Sequence, residues 1–517
     1  MKPLLEAERS KLLLLVAILL GGLVRFLPAL TAGFPVNDGG MFMLMSEELK
    51  ANHYALPAFT AYNQAHIPFA YPPLGFYVTA LISDLFSLPV MAVERWSPAL
   101  VSTLALLAFF LMAREALNSD HQAGLATIFY GLAPASFGWA VMGGGITRAY
   151  GLAFLYLTVA WTMRLYARPR ATTALLTAVF GALAALSHPE TGLQAAAACL
   201  LLWFFRGRSR MSMGWSIVVA VCVLVFTAPW WGTVLAVHGA APFLSATQTS
   251  NDRVTAIVQL VTLQIDGNNV FFPVTVALGL IGLVAGLARR RYLLPLWFLL
   301  PFLVDPRSAG GIAMIPLAMM AAVGFDQVLA PGLLALRSRT GDWFRDRFAL
   351  ATLSGVLLYL FFSAGVFGIK LANASLSEPD RRTIAWVREN VDPGSVFLLL
   401  TGEPYSMKDP LQEWFPALTP SISMTTIQGL EWTLGPHFFP RYGDLVALQH
   451  CAEVACVEAW SERTGLRYRY LLVRNPPQDG PGGLDASLRL LVGSLDRGDG
   501  YQLVYETPDF VIYRVTE

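Results

Sequence analysis

Charge is scarce in this chain. Only 14% of its 517 residues are Asp, Glu, Lys or Arg, whereas 55% are hydrophobic. With several apolar runs of about 18 to 22 residues, that balance excludes a soluble globular protein and points to a polytopic membrane protein. Cysteine is nearly absent too, at four residues. Cys199 and Cys222 fall in predicted spans. Cys451 and Cys456 lie together near the C-terminus, where either a disulfide, permitted outside the cytoplasm, or two buried thiols would fit. There is no Walker loop, dinucleotide fingerprint or zinc-protease helix, so a cytosolic nucleotide as energy source finds no support. Nor is there an internal repeat of fixed period.

The net charge of +1 calls for no nucleic-acid partner. In a membrane chain what matters is where Lys and Arg sit. Basic clusters at Lys2/Arg9/Lys11, Arg164/Arg168/Arg170, Arg206/Arg208/Arg210, Arg289/Arg290/Arg291 and Arg337/Arg339/Arg345/Arg347 recur at every second loop, which assigns those loops to the cytoplasm. The first run, "KLLLLVAILLGGLVRFLPAL", is longer than a signal-peptide core and lacks a clear cleavage site, so it is expected to be retained. About eleven spans follow, at 11–31, 96–114, 122–140, 149–166, 171–187, 191–205, 214–231, 270–287, 292–304, 310–330 and 349–369. Counting 80–95, with its Asp84, as a further span would reverse the sidedness downstream, and the basic-loop pattern opposes it. An odd count places the C-terminus outside.

On that outer side lie a long loop at 32–95, the short "MGGGITRAYG" and "SHPET" turns, a loop at 232–269, "DPRSAG" and the tail. From about residue 373 the composition becomes that of a soluble domain. "EPDRRTIAWVREN" reads as a helix, and "SVFLLL", "RYLLV", "YQLVYE" and "FVIYRV" read as strands. Together they predict a small α/β domain over 373–517, with "NPPQDGPGG" as a loop.

The stretch "FPVNDGGMFML" puts Asn37 and Asp38 directly after the first apolar run. A carboxylate at the bilayer centre costs roughly 2.5 to 3.5 kcal/mol, so Asp38 is expected at or beyond the outer interface. One reading is local: Asn37 or Asp38 caps a helix beginning near Met41. That helix, "MFMLMSEELKAN", is amphipathic and suits the membrane surface. Further on, "AYPPLGFYVTAL" starts a second helix at its prolines and forces Tyr71 into an extended conformation.

A first span, an acidic residue in "DGG" just after it, a juxtamembrane helix and a "PPL" helix start together resemble the GT-C superfamily of membrane glycosyltransferases, which includes protein O-mannosyltransferases and aminoarabinose transferases. The resemblance covers roughly residues 10–370 as architecture, and the Asp38 region with Pro72-Pro73-Leu74 as motif. It implies a polyprenyl-phosphate sugar donor and a catalytic role for the aspartate at the position of Asp38. Tyr71 stands where aminoarabinose transferases carry a lysine before "PPL". The tail "PLQEWFPALTPSISMTTIQGLEW" also looks like extracytoplasmic domains of bacterial members; there Glu413, Trp414 and Glu431 are either acceptor contacts or, more simply, a packed loop.

Transfer of a sugar from a lipid phosphate to a lipid, glycan or protein hydroxyl needs a base at the acceptor and positive charge at the departing phosphate. Asp38 is the expected base, in a single inverting displacement. Arg148, Arg307, Arg95 and Lys370 are the outer-face candidates for the phosphate, with Arg able to grip two oxygens at once and Arg148 and Arg307 the favoured pair. Headgroup anchoring is the alternative for each. His188 and Glu190 in "SHPET" either bind sugar hydroxyls or ligate a divalent ion, or else serve the helix turn there. His238, Trp230 and Trp231 sit at the outer boundary, where belt aromatics are ordinary. Asp252, Arg253 and Asp266 could line a groove. A transporter or lipid flippase is the main rival, and a scaffold the third reading. The polar residues gather at one face, however, and the span interiors are nearly free of charge, which favours an enzyme.

Overall fold

The computed structural model describes residues 2–249, 253–263, 265, 267, 270–476 and 483–516. Asp252, Asp266, the Arg253 side chain and residues 477–482 lie outside them. Among the described residues the first part of the chain has sixteen α-helices: α1 (Lys2–Thr31), α2 (Gly40–Ala51), α3 (Leu74–Phe86), α4 (Val90–Leu117), α5 (Asp120–Gly131), α6 (Gly145–Ala167), α7 (Ala171–Ser187), α8 (Pro189–Arg206), α9 (Arg210–His238), α10 (Ala241–Thr247), α11 (Arg253–Thr262), α12 (Val274–Ala288), α13 (Leu293–Val304), α14 (Ala309–Gly324), α15 (Ala330–Leu336) and α16 (Arg347–Ala372). A two-stranded ribbon, β1 (Phe59–Thr60) and β2 (Ile67–Pro68), lies between α2 and α3. Among the described residues five helices are long and apolar enough to cross a membrane, and several shorter apolar helices pack among them. This is a multi-pass membrane architecture.

The bundle is built around α1, which packs on α4, α5 and α16, while α6 joins α4 to α7 and α8. At the crossing of α12 and α14 the two backbones touch. A Cβ on Gly282 would lie 1.8 Å from the Met320 carbonyl oxygen, so only glycine permits this approach. Differences from the sequence reading have local causes. In the expected span 122–140 the α-helix stops at Gly131, leaving α5 with 12 residues from Asp120, about 18 Å at 1.5 Å per residue, because Pro134 breaks it. Arg25 satisfies the groups freed there. Its guanidinium donates to the Gly131 carbonyl at 2.5 Å and to the Ser102 and Ser136 hydroxyls at 3.0 and 2.9 Å, and it lies over the Phe137 ring. Residues 80–95 divide between α3 and the first turns of α4, so Arg95 sits inside a helix rather than in the loop before it.

The 30 residues of α1, about 45 Å, separate two ends of different character. Near its start, Arg9 pairs with Asp342 and Ser10 donates to the Asp120 carbonyl; Arg114 pairs with that same Asp120, while Arg164 pairs with nearby Glu115. Basic segments near residues 9, 114, 164 and 342 therefore meet at one end. Asp38 lies just past the other.

After α16 come α17 (Glu378–Asn390), β3 (Val396–Leu400), α18 (Pro410–Leu418), β4 (Ile422–Ser423), α19 (Phe438–Gln449), α20 (Val454–Thr464), β5 (Tyr470–Arg474), α21 (Leu484–Leu495), β6 (Tyr501–Glu506) and β7 (Phe510–Val515). The sheet order is β4-β3-β5-β7-β6, parallel among the first three and antiparallel beyond. Alternate residues face opposite layers. Phe397, Leu399 and Leu472 pack on α17 and α18, whereas Leu398, Leu400 and Leu471 pack on α19, α20 and α21. Burial on both faces explains why "VFLLL" is an unbroken apolar run. Cys451 and Cys456 form a disulfide.

Candidate active site

The loop after α1 is held from three directions. Asn37 adopts a left-handed conformation, φ 56°, and Gly39 follows at φ 139°. Backbone bonds tie Asn37 to Ala374 and Gly143 to Val36, while the Trp414 indole donates to the Asn37 carbonyl at 2.8 Å. This fixes Asp38 in the interior, at 6% exposure. It does not cap α2, whose N-cap is Gly39 without a side-chain bond from that residue. Instead Oδ1 accepts from the Gly144 amide at 3.0 Å, and Oδ2 from Arg148 Nη1 at 2.8 Å. The glycines of "MGGGITR" make this possible. A Cβ on Gly143 would lie 1.9 Å from the Asp38 carbonyl oxygen, and one on Gly144 would lie 2.7 Å from Oδ2. Arg148, on the first turn of α6, also lies over the Trp139 ring at 5.2 Å.

Tyr71 stands next to this pair. Its phenol reaches the Thr147 hydroxyl at 3.4 Å, and its ring meets those of Phe42, His188 and Trp432 with centroids 5.0, 6.2 and 5.9 Å away. Burial pushes the Tyr71 hydroxyl well above the usual phenol range. At the α7–α8 corner His188 is buried, and its Nδ1 has no hydrogen-bond partner among the described residues. Burial, aided by the charges of Arg148 and Arg307, holds that imidazole neutral. Glu190, in the first turn of α8, meets Arg307 at 3.8 Å. The structure thus brings Asp38, Arg148, Tyr71 and His188 together, with Glu190 and Arg307 paired beside them.

The other candidates sit elsewhere. Arg95 donates to the Ala29 and Ala32 carbonyls, closing the end of α1. Lys370 is exposed near the end of α16. His238 bonds the Ala58 carbonyl at 2.8 Å and lines a separate cavity of about 80 Å³ with Leu56, Phe69, Val234 and Val237. Trp230 joins α9 to the site loop through the Ala70 carbonyl at 3.1 Å.

Four carboxyls complete the surroundings. Glu94 is 1% exposed, with neither oxygen hydrogen-bonded among the described residues, and one oxygen lies 3.4 Å from where a Gly39 Cβ would stand. Glu413, on α18, accepts from the Gly39 and Met41 amides at 3.4 and 3.3 Å. Burial and the neighbouring Asp38 push its carboxyl up to about 8. Glu431 is half-buried beside Trp432, with its Oε2 out of solvent, and is raised by that desolvation, with Arg307 and Arg148 opposing the rise. Asp305 accepts from Ser308 at 2.6 Å and is raised by burial and by Glu190. Glu94 and Asp305 give no sequence signal beyond being acids at span edges. Among the described residues, no three of His, Cys, Asp and Glu group as a cage for a metal ion.

No protein-family model matches the chain, and no curated protein matches it in sequence. Solved structures do match. An oligosaccharyltransferase from Archaeoglobus fulgidus, tethered to an acceptor peptide, superposes with a TM-score of 0.60 at 13% identity, over 98% of this chain and 74% of that one. ArnT from Cupriavidus metallidurans, bound to undecaprenyl phosphate, gives 0.56 at 15% identity, over 96% and 97%. The mycobacterial arabinofuranosyltransferase AftD gives 0.56 at 15%, over 98% of this chain and 40% of its own. The chain has the GT-C glycosyltransferase fold. Within the GT-C fold of this chain, Asp38 and Arg148 join the loop after the first helix to the start of α6.

Proposed function

We propose that this protein is an inverting glycosyltransferase that moves a sugar from a polyprenyl-phosphate-linked donor to an acceptor hydroxyl on the extracytoplasmic face. The observation that carries this reading is the pairing of buried Asp38 with half-buried Arg148, flanked by Tyr71 and neutral His188, on a GT-C fold. Undecaprenyl phosphate in the ArnT structure supports the donor class. The sidedness is supported by the basic end lying opposite Asp38 and by a disulfide in the 373–517 domain.

In the resting protein Arg148 neutralises Asp38. A donor phosphate brought to Arg148, with Arg307 behind it, would compete for the same guanidinium, whose donors suit two phosphate oxygens. Drawing Arg148 towards the phosphate frees Asp38 to accept a proton. The acceptor oxygen attacks the anomeric carbon as its proton passes to Asp38. The bond to the phosphate oxygen breaks with its electron pair, and polyprenyl phosphate leaves, stabilised by the arginines. Tyr71, His188 and Glu190 are placed to orient sugar and acceptor hydroxyls. A lipid, glycan or protein acceptor fits this chemistry equally.

The test uses full-length protein in vesicles carrying a panel of undecaprenyl-phosphate-linked hexoses and pentoses, with membrane-extract acceptors, and follows release of undecaprenyl phosphate. Release that Asp38→Asn abolishes, without loss of insertion, is the expected result. Undiminished release by Asp38→Asn overturns the assignment.

A further inference from the structure

The C-terminal domain touches the site through α18, and the contact concentrates on one face. Glu413 Oε1 accepts from the Gly39 and Met41 amides, two of the otherwise unpaired donors at the start of α2. Its carbonyl accepts from the buried Tyr62 phenol at 2.6 Å, and a Cβ on Gly40 would lie 2.7 Å from that same carbonyl. Next to it, Trp414 donates to the Asn37 carbonyl, and its ring meets Phe34 at 4.6 Å. Both neighbours of Asp38 are therefore gripped by consecutive residues of one short helix from the soluble domain.

We propose that Glu413 is a positioning residue for Asp38: its carboxyl, carried by the C-terminal domain, caps the helix that follows Asp38 and aligns the 37–41 backbone for catalysis. The inference rests on the catalytic reading of Asp38 given above. A side chain more than 370 residues away replaces the local cap that neither Asn37 nor Asp38 supplies.

Burial keeps the cap uncharged at neutral pH. The groups facing Glu413 are Asp38 on the loop, Glu94 on α4, Glu431 on the Leu430–Trp432 turn and the Tyr62 phenol, and the Arg148 guanidinium is engaged with Asp38. Burial first, and repulsion by Asp38 second, hold the Glu413 proton to about 8, while the two amide bonds pull the other way. The folded value lies above the roughly 4.3 of an exposed glutamic acid. The docked form thus binds an extra proton between these limits: its stabilisation is complete below the lower one and is lost as pH rises to and through the upper one.

The test is amide hydrogen exchange of peptide 36–46 in full-length protein in lipid nanodiscs, corrected for intrinsic rates, at pH 6 and pH 9. Wild type should lose at least about tenfold in protection between the two. Glu413→Gln, which keeps the acceptor and cannot ionise, should stay protected at both; Glu413→Ala should be unprotected at both. The alkaline fall in kcat for undecaprenyl-phosphate-sugar turnover should vanish in Glu413→Gln. Equal wild-type protection at the two pH values, or wild-type protection in Glu413→Ala, overturns the proposal. Asp38→Asn separates the two claims: retained turnover there removes the base assignment while leaving the exchange result on Glu413 intact.

Discussion

Replacing Gly143 by alanine should cripple turnover while leaving the protein inserted. The added Cβ would stand 1.9 Å from the Asp38 carbonyl oxygen, where real contacts are essentially never below 3.0 Å. The loop must therefore retreat by about 1.1 Å (3.0 minus 1.9), and the obstacle is backbone, which cannot swing aside as a side chain would. That movement breaks the 3.0 Å bond from Gly144 to Oδ1 and stretches the 2.8 Å contact with Arg148. Overpacking of this kind costs about 1–3 kcal/mol in stability, and a misplacement near 1 Å at a reacting group costs roughly 100-fold in rate. The assay pairs thermal unfolding of purified protein with undecaprenyl phosphate release. Gly214→Ala is the control: nothing lies within 4 Å of its Cβ in the exposed helix α9, so alanine there should be neutral or stabilising by up to about 1 kcal/mol. Wild-type turnover by Gly143→Ala would refute the dependence of Asp38 on this close approach.

Further substitutions probe separate contacts. Arg148→Lys keeps the charge but loses the fork, and should lower turnover roughly 10- to 100-fold, with weaker undecaprenyl phosphate binding seen by native mass spectrometry. Tyr71→Phe removes only a 3.4 Å hydroxyl contact, so its thermal stability should stay within about 0.5 kcal/mol of wild type, while Tyr71→Ala empties a buried ring site and costs about 3–5 kcal/mol. Arg25→Leu leaves the Gly131 carbonyl and two buried hydroxyls without their donor, and should lower the thermal midpoint by the equivalent of about 1–3 kcal/mol per orphaned group.

Much of the fold was legible because its signals are local. Unbroken apolar runs mark the membrane helices, and "EPDRRTIAWVREN" became α17 because Ser377 caps it and Asp380 returns the bond, a pattern contained in four residues. The strands of the C-terminal sheet were readable by composition except β4, whose two residues carry no periodicity. What escaped was non-local. Pro134 ends α5 locally, but the donor that satisfies the freed Gly131 carbonyl is Arg25 from another helix, and Arg95, an outer-face cation by sequence, is spent on carbonyls at the end of α1. At the site, Asp38 and Arg148 stood out as polar residues among glycines, and Tyr71 and His188 flank them in space. Glu94 and Glu413 could not be tied to Asp38 from sequence, because they lie 56 and 375 positions further along the chain and only folding closes those distances.

The bond between Trp414 and Asn37 joins residues 377 positions apart. During synthesis the segment around Asp38 leaves the ribosome early, and the helix that grips it follows only after nearly four-fifths of the chain. At roughly 5–20 residues per second, the interval is on the order of 20–75 s. For that time the loop lacks its Trp414 bond, so under the proposed function a nascent or prematurely terminated chain would have no aligned base for sugar transfer. Completion of the last domain thereby braces the first loop.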